Sequence, residues 1–72
     1  MKILVVGGAG YIGSHLTYEL CDQGYKVKVF DDLSTGFIEN VDKRSDFING
    51  SISDSKVLSL VLKDIDCVVH LA

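Results

Sequence analysis

The chain has 72 residues, of which 47% are hydrophobic and 24% charged, a composition that suits one small packed core and argues against disorder. A formal net charge of -3 and a pI near 5.0 argue against nucleic acid or an anionic membrane surface as a partner, since either requires a basic face. No stretch approaches the ~20 apolar residues of a membrane span, and the run Ile3-Leu4-Val5-Val6 stops at Gly7-Gly8, short of a signal peptide's apolar region.

Lys2 to Val6 is a β-branched apolar run ending in glycines, which reads as a strand buried on both faces of a parallel sheet. From Tyr11 to Gln23 the residues Ile12, Leu16 and Leu20 recur every four positions, with Gly24 just after; this predicts an amphipathic helix closed by a glycine. Tyr25, Val27 and Val29 then alternate with Lys26 and Lys28, so Tyr25 to Phe30 reads as a second strand, ended by Asp31 and Asp32. Leu33 to Ser45 reads as a loop with a helical turn around Phe37 to Asn40, and its basic pair Lys43-Arg44 as simply solvated. Phe47-Ile48 is a weak third strand stopped by Asn49-Gly50.

Ser53 or Asp54 caps a second helix running to about Lys63, with Val57, Leu58, Val61 and Leu62 as its apolar stripe and Leu60 widening it; the Leu60 to Leu62 run reads as core. Asp66 to Ala72 is a last apolar strand, with His70 as a half-buried imidazole within it. The succession β-α-β-β-α-β predicts an α/β fold, the N-terminal part of a Rossmann doubly wound parallel sheet in the order 3-2-1-4, incomplete as it stands. Ending on an interior apolar strand leaves an open edge, so the isolated piece is expected to be marginally stable and prone to associate.

Cys21 and Cys67 fall within apolar patterns and have no Cys or His at metal-ligand spacing, which predicts buried free thiols, no metal site and no disulfide, as suits a cytoplasmic protein. His15 reads as a polar residue on the phosphate side of the first helix.

The chemistry sits between the first strand and the first helix. Gly7, Gly10 and Gly13 in GGAGYIG form a G-x-x-G-x-x-G turn. Glycines let the chain turn tightly and bring its backbone against an anion, while the helix start offers unpaired N–H groups and a positive dipole end. Tyr11 and Ile12 would donate through their amides to a pyrophosphate. Asp31 follows Gly13 by 18 positions at the end of the next strand, where the acid that binds a dinucleotide's adenine ribose belongs, at about 20. A carboxylate there accepts both ribose hydroxyls and repels a 2′-phosphate, which favours NAD over NADP.

The segments VVGGAGYIGSHL, VFDDLSTG, GSI and VVHLA together resemble the extended short-chain dehydrogenase/reductase family, most closely its UDP-glucose 4-epimerase group, along almost the whole chain. The resemblance implies an NAD-dependent nucleotide-sugar enzyme with an N-terminal Rossmann domain and a smaller sugar-nucleotide domain, a homodimer when complete, that oxidises and re-reduces sugar C4. It also implies that Asp32, Ser34, Thr35 and Gly36 surround the adenosine phosphate, that Ser51 and Ile52 stand beside adenine, and that Leu71 and Ala72 line the cofactor groove. Ser51 departs from the family's usual aspartate, which removes a charge-assisted contact, and Val6 replaces a common threonine.

The family's Tyr-x-x-x-Lys acid-base pair is missing. The residues four after Tyr11, Tyr18 and Tyr25 are His15, Asp22 and Val29, so no catalytic residue is assigned here and the catalytic half is expected beyond Ala72. The alternatives are an NAD-dependent nucleotide-sugar dehydratase or decarboxylase of the same family, and a non-catalytic dinucleotide-binding fragment.

Overall fold

The computed structural model describes residues 1–34 and 36–71. In chain order it holds β1 (Lys2–Val6), α1 (Tyr11–Asp22), β2 (Lys26–Asp31), a single 3-10 turn (Ile38–Asn40), β3 (Asp46–Asn49), α2 (Ser55–Val61) and β4 (Cys67–His70). All strand pairs are parallel and the order is β3-β2-β1-β4, the order expected from the alternation of strands and helices. β1 has the expected limits; the other elements differ at an end by one or two residues, α2 stopping at Val61 rather than Lys63 and β4 covering Cys67–His70.

The register divides the sheet residues between two cores. Ile3 and Val5 pair with Val27 and Val29, and with Ala9 and Val41 they build the core on the α1 side, against Leu20 and Cys21. Leu4, Val6 and Phe30 point the other way and pack under Val57, Leu58 and Val61 of α2. β1 is therefore buried on both faces from Ile3 onward, which is why it reads as an unbroken apolar run.

α1 does not bury the stripe that its spacing suggests. Ile12 is 71% exposed, while Gly13 and Thr17 are the buried positions, with Leu20 and Cys21 packed at the helix end. Gly13 lies flush on the backbone of Gly7 and Gly8, so the helix approaches β1 too closely for a large side chain. The buried Thr17 hydroxyl is satisfied by donating to the Gly13 carbonyl at 2.8 Å. At the other end Gly24, with φ of 89°, closes the helix: its N–H bonds the Cys21 carbonyl and the Tyr25 N–H bonds that of Leu20.

Most of the expected burials that fail lie on α2 and β4, whose outer faces nothing in the described chain covers. Leu60 is 72% exposed and Leu62 also faces solvent, so of that run only Val61 is core. His70 and Cys67 are exposed on β4, and Cys21 is only half-buried. α2 itself begins as expected at Asp54, whose carboxylate accepts from the Val57 N–H. The two ends of the described chain clasp each other: the Lys2 N–H donates to the Asp66 carboxylate at 2.7 Å, and the Asp66 N–H to the Lys2 carbonyl at 2.9 Å.

Arg44 is more than solvated. Its guanidinium holds the Asp42 carboxylate through Nε and Nη2 at 3.0 and 2.9 Å, lies 5.1 Å from the Tyr18 ring centre, and donates to the Tyr18 carbonyl. These contacts tie the β2–β3 connection to α1. The Arg44 hydrogen bonds hold the Asp42 carboxyl below its usual range. A lowered folded-state value means that the stabilisation is present above the ordinary carboxylate pKa of ~3.9 and is lost as the pH falls through the lowered one. Arg44→Gln is therefore expected to lower the Tm only slightly at pH 7, since the guanidinium is solvated. The part of the Tm difference that comes from Asp42 should be lost as the pH falls through its lowered pKa, leaving the part that comes from Tyr18, which melts across a pH series will measure.

Candidate functional site

The carboxyl ends of β1, β2 and β4 meet where the chain's path through the sheet reverses, β1 leading outward to β2 and β3 on one side and to β4 on the other. Open α/β sheets carry their ligand crevice at such a point. A cleft of about 340 Å³ lies there, lined by Val6, Gly7, Gly10, Phe30, Asp31, Asp32, Ser34, Gly50, Ile52 and Leu71.

Gly7 turns the chain out of β1 with φ of 87°, a conformation that favours glycine, and its N–H bonds the Phe30 carbonyl at 2.8 Å, anchoring the turn to β2. Gly10 then starts α1 from an extended conformation. Its carbonyl accepts the first helical bond from the Ser14 N–H at 2.9 Å, which leaves the N–H groups of Tyr11, Ile12 and Gly13 without partners inside the helix. Unlike Gly13, Gly10 has room beside it: a methyl group there would meet nothing nearer than the Gly7 carbonyl oxygen at 3.6 Å. Internal packing thus accounts for Gly13 but leaves Gly10 as bare backbone facing the cleft.

Asp31 is half-buried at the end of β2 and turns toward the glycine turn. Its Oδ2 accepts the Ala9 N–H at 2.9 Å and its Oδ1 the Leu33 N–H at 2.8 Å. A carboxylate offers about four acceptor positions, so two remain for a vicinal diol. Leu33 reaches this bond from the left-handed region, φ 63°, a conformation costly for a branched residue. Asp32, fully exposed, is held by the Ser34 N–H at 2.9 Å, and that bond keeps its carboxyl below the usual range. The site thus presents amide donors at one end and carboxylate acceptors at the other, a polarity that suits a molecule carrying phosphate at one end and sugar hydroxyls at the other.

Of the residues singled out in the sequence, Gly7, Gly10, Asp31, Asp32, Ser34, Ile52 and Leu71 come together on the cleft wall. Tyr11 and Ile12 face solvent with their side chains, Tyr11 edge-on to His15 with ring centres 4.7 Å apart, and only their backbone amides stand at the turn. Ser51 spends its hydroxyl locally, bonding the Ser53 hydroxyl at 2.8 Å and accepting the Ser53 N–H at 3.2 Å, and does not line the cleft. Gly36 packs on Ala9 and Gly10. Thr35 and Ala72 lie outside the described residues. Sequence reading missed Val6, Phe30 and Gly50 as cleft walls; for Gly50 the one signal was the Asn49-Gly50 pair, read only as a strand terminator. Among the described residues, no three His, Cys, Asp or Glu side chains gather as metal donors, and no helix is long and apolar enough to cross a membrane.

The sequence pattern of the NAD dependent epimerase/dehydratase family matches residues 3–72. The chain belongs to that family. Among the curated members, it is 49% identical over 74 aligned positions to the UDP-glucose 4-epimerase of Lactobacillus helveticus, covering 100% of this chain and 22% of that protein. Among solved structures, it is similar to the UDP-glucose 4-epimerase of Thermotoga maritima, crystallised with UDP-glucose, with a TM-score of 0.97 and 42% identity over 100% of this chain and 24% of that one. A dTDP-glucose 4,6-dehydratase from Bacillus anthracis in complex with NAD matches with a TM-score of 0.91 and 34% identity, over 100% of this chain and 26% of that one. The chain thus spans about a quarter of the length of each of these three proteins, and its fold matches that of the two solved ones over that span.

Proposed function

We propose that this chain is the segment that grips the ADP-ribose half of NAD in a UDP-glucose 4-epimerase-like enzyme. On this reading residues 1–72 are the opening part of a Rossmann domain, and the rest of that domain, the acid-base pair and the sugar-nucleotide domain belong to further sequence. The observation that carries the reading is the Asp31 carboxylate turned onto the glycine turn, 2.9 Å from the Ala9 N–H, on the same cleft wall as Gly7 and Gly10. The amides of Tyr11, Ile12 and Gly13 would hold the pyrophosphate, Asp31 the adenine ribose, and Ile52 with Gly50 the flank of the adenine ring.

When bound, NAD supplies reversible hydride acceptance from a sugar C4 carbinol. The contribution of this chain is to fix the cofactor's orientation and to keep the 2′-position of the ribose beside a negative charge. The L. helveticus and T. maritima relatives support a UDP-sugar substrate and an isomerase reaction, and a homodimeric parent belongs to the same proposal. The B. anthracis dehydratase, 34% identical, supports a second reading in which the same cofactor grip serves a 4,6-dehydration, and the sequence of the parent's substrate domain separates the two.

Calorimetric titration of the chain with NAD and with NADP tests the cofactor grip. Saturable heat with NAD and at least tenfold weaker binding of NADP is expected, since a carboxylate faces the extra phosphate. No heat with either, or tighter NADP, would sink the reading.

A further inference from the structure

Gly36 does not line the cleft, although the sequence suggests that it stands near the adenosine phosphate. It is buried, and a methyl group on it would run into the Ala9 carbonyl, backbone atoms with no freedom to give, and come within 2.9 Å of the Gly10 nitrogen. The next residue continues the contact: the Phe37 N–H donates to the Ala9 carbonyl at 3.3 Å. Ala9 is itself fixed, its side chain fully buried in the core on the α1 side. The opposite end of the same residue reaches the site, because the Ala9 N–H holds Oδ2 of Asp31.

One residue of the glycine turn is thus gripped from two sides by the chain that follows β2. Asp31 binds its N–H at the start of that chain, and Gly36 with Phe37 seats against its carbonyl a few residues later. We infer that Gly36 is a positioning residue: by allowing the β2–β3 loop to lie flush on Ala9, it fixes the Asp31 carboxylate in the orientation that receives the ribose diol. The functional half of this inference rests on the NAD reading, while the structural half stands apart from it. Leu33 holds the other oxygen of Asp31 through a local turn. That bond alone leaves the carboxylate free to swing about its own backbone; the Ala9 bond adds the second fixed point.

The test uses Gly36→Ala in the whole chain, with Asp31→Asn as control, read first by NMR without any ligand. In the parent, the Ala9 and Leu33 amide protons, both bonded to Asp31, should both shift when Asp31→Asn is introduced, and the same replacement is made in the Gly36→Ala background. In Gly36→Ala the Leu33 amide should keep this response, showing an intact fold and β2 end, and the Ala9 amide should lose it. With ligand, the variant should bind NAD about tenfold more weakly, the loss of one well-placed polar contact. The preference of the parent for NAD over 2′-deoxy-NAD should fall toward unity, an effect that general destabilisation does not produce. An Ala9 amide that still responds to Asp31→Asn in Gly36→Ala, or an unchanged preference for the 2′-hydroxyl, would overturn the inference. If the parent binds no NAD yet the Ala9 response vanishes in the variant, the positioning role stands and the cofactor reading fails.

Discussion

Replacing Gly10 by aspartate is expected to leave the fold intact, raise its thermal stability slightly and abolish NAD binding. Gly10 is the residue that caps α1, with φ of -76° and ψ of 177°, a conformation open to any residue, and no side chain caps the helix at present. An aspartate there gains a capping acceptor for the free amides and a favourable interaction with the helix dipole, worth about 0.3–1 kcal/mol. Packing does not oppose it, since the nearest protein atom to a methyl group at this position is 3.6 Å away. The same carboxylate occupies the space and the amides intended for the pyrophosphate, and two like charges at such a distance cost several kcal/mol in a partly shielded site. Affinity for NAD should fall more than about a hundredfold. Opposite signs for stability and binding are the diagnostic feature, read by a thermal melt beside a calorimetric titration. Gly10→Asp that still binds NAD with parental affinity would place the pyrophosphate elsewhere.

Asp31→Asn should weaken NAD by about thirty to a hundredfold while leaving NADP nearly unchanged, so that the ratio of the two affinities collapses. The amide keeps one acceptor oxygen, which cannot serve Ala9, Leu33 and a ribose diol together, and it lacks the charge that strengthens each bond. Removing that charge also removes the repulsion of a 2′-phosphate, and for NADP this relief offsets the weaker hydrogen bonding to the ribose. A stability cost of about 1–2 kcal/mol is expected as well, because the Ala9 N–H and Leu33 N–H now bond to a neutral partner or to none. Ratios of affinities measured on the folded fraction separate this cost from recognition. An unaltered NAD to NADP ratio would show that Asp31 is a structural tie only.

What the sequence discloses and what it hides divide along the range of the interactions concerned. The glycine turn, the acid at the end of β2 and the order β3-β2-β1-β4 follow from spacing and alternation, since each is set by neighbours a few residues away or by the handedness of crossovers. The buried face of α1 was hidden for a physical reason. Close approach to β1 selects Gly13 and a self-satisfied Thr17, residues that an apolar periodicity does not count, while Ile12 fits the periodicity and faces solvent. Leu60 misled in the opposite direction, because α2 buries Val57, Leu58 and Val61 and leaves its other side uncovered. In the site, Asp31 was legible and Ala9 was not. The role of Ala9 resides in its backbone N–H and carbonyl, which no side-chain pattern reveals, and in bonds made by residues far along the chain.

The clasp between Lys2 and Asp66 spans 64 positions of sequence. β1 can pair early with β2, once α1 has brought the two together across less than half that length. Its other edge must wait until the final strand has been made and carried back over the sheet. Closing so long a loop is entropically costly before any contact rewards it. Acquisition of β4 should therefore be the late, slow event in folding, and the half-built sheet that precedes it would still carry the glycine turn and Asp31 in register on β1 and β2.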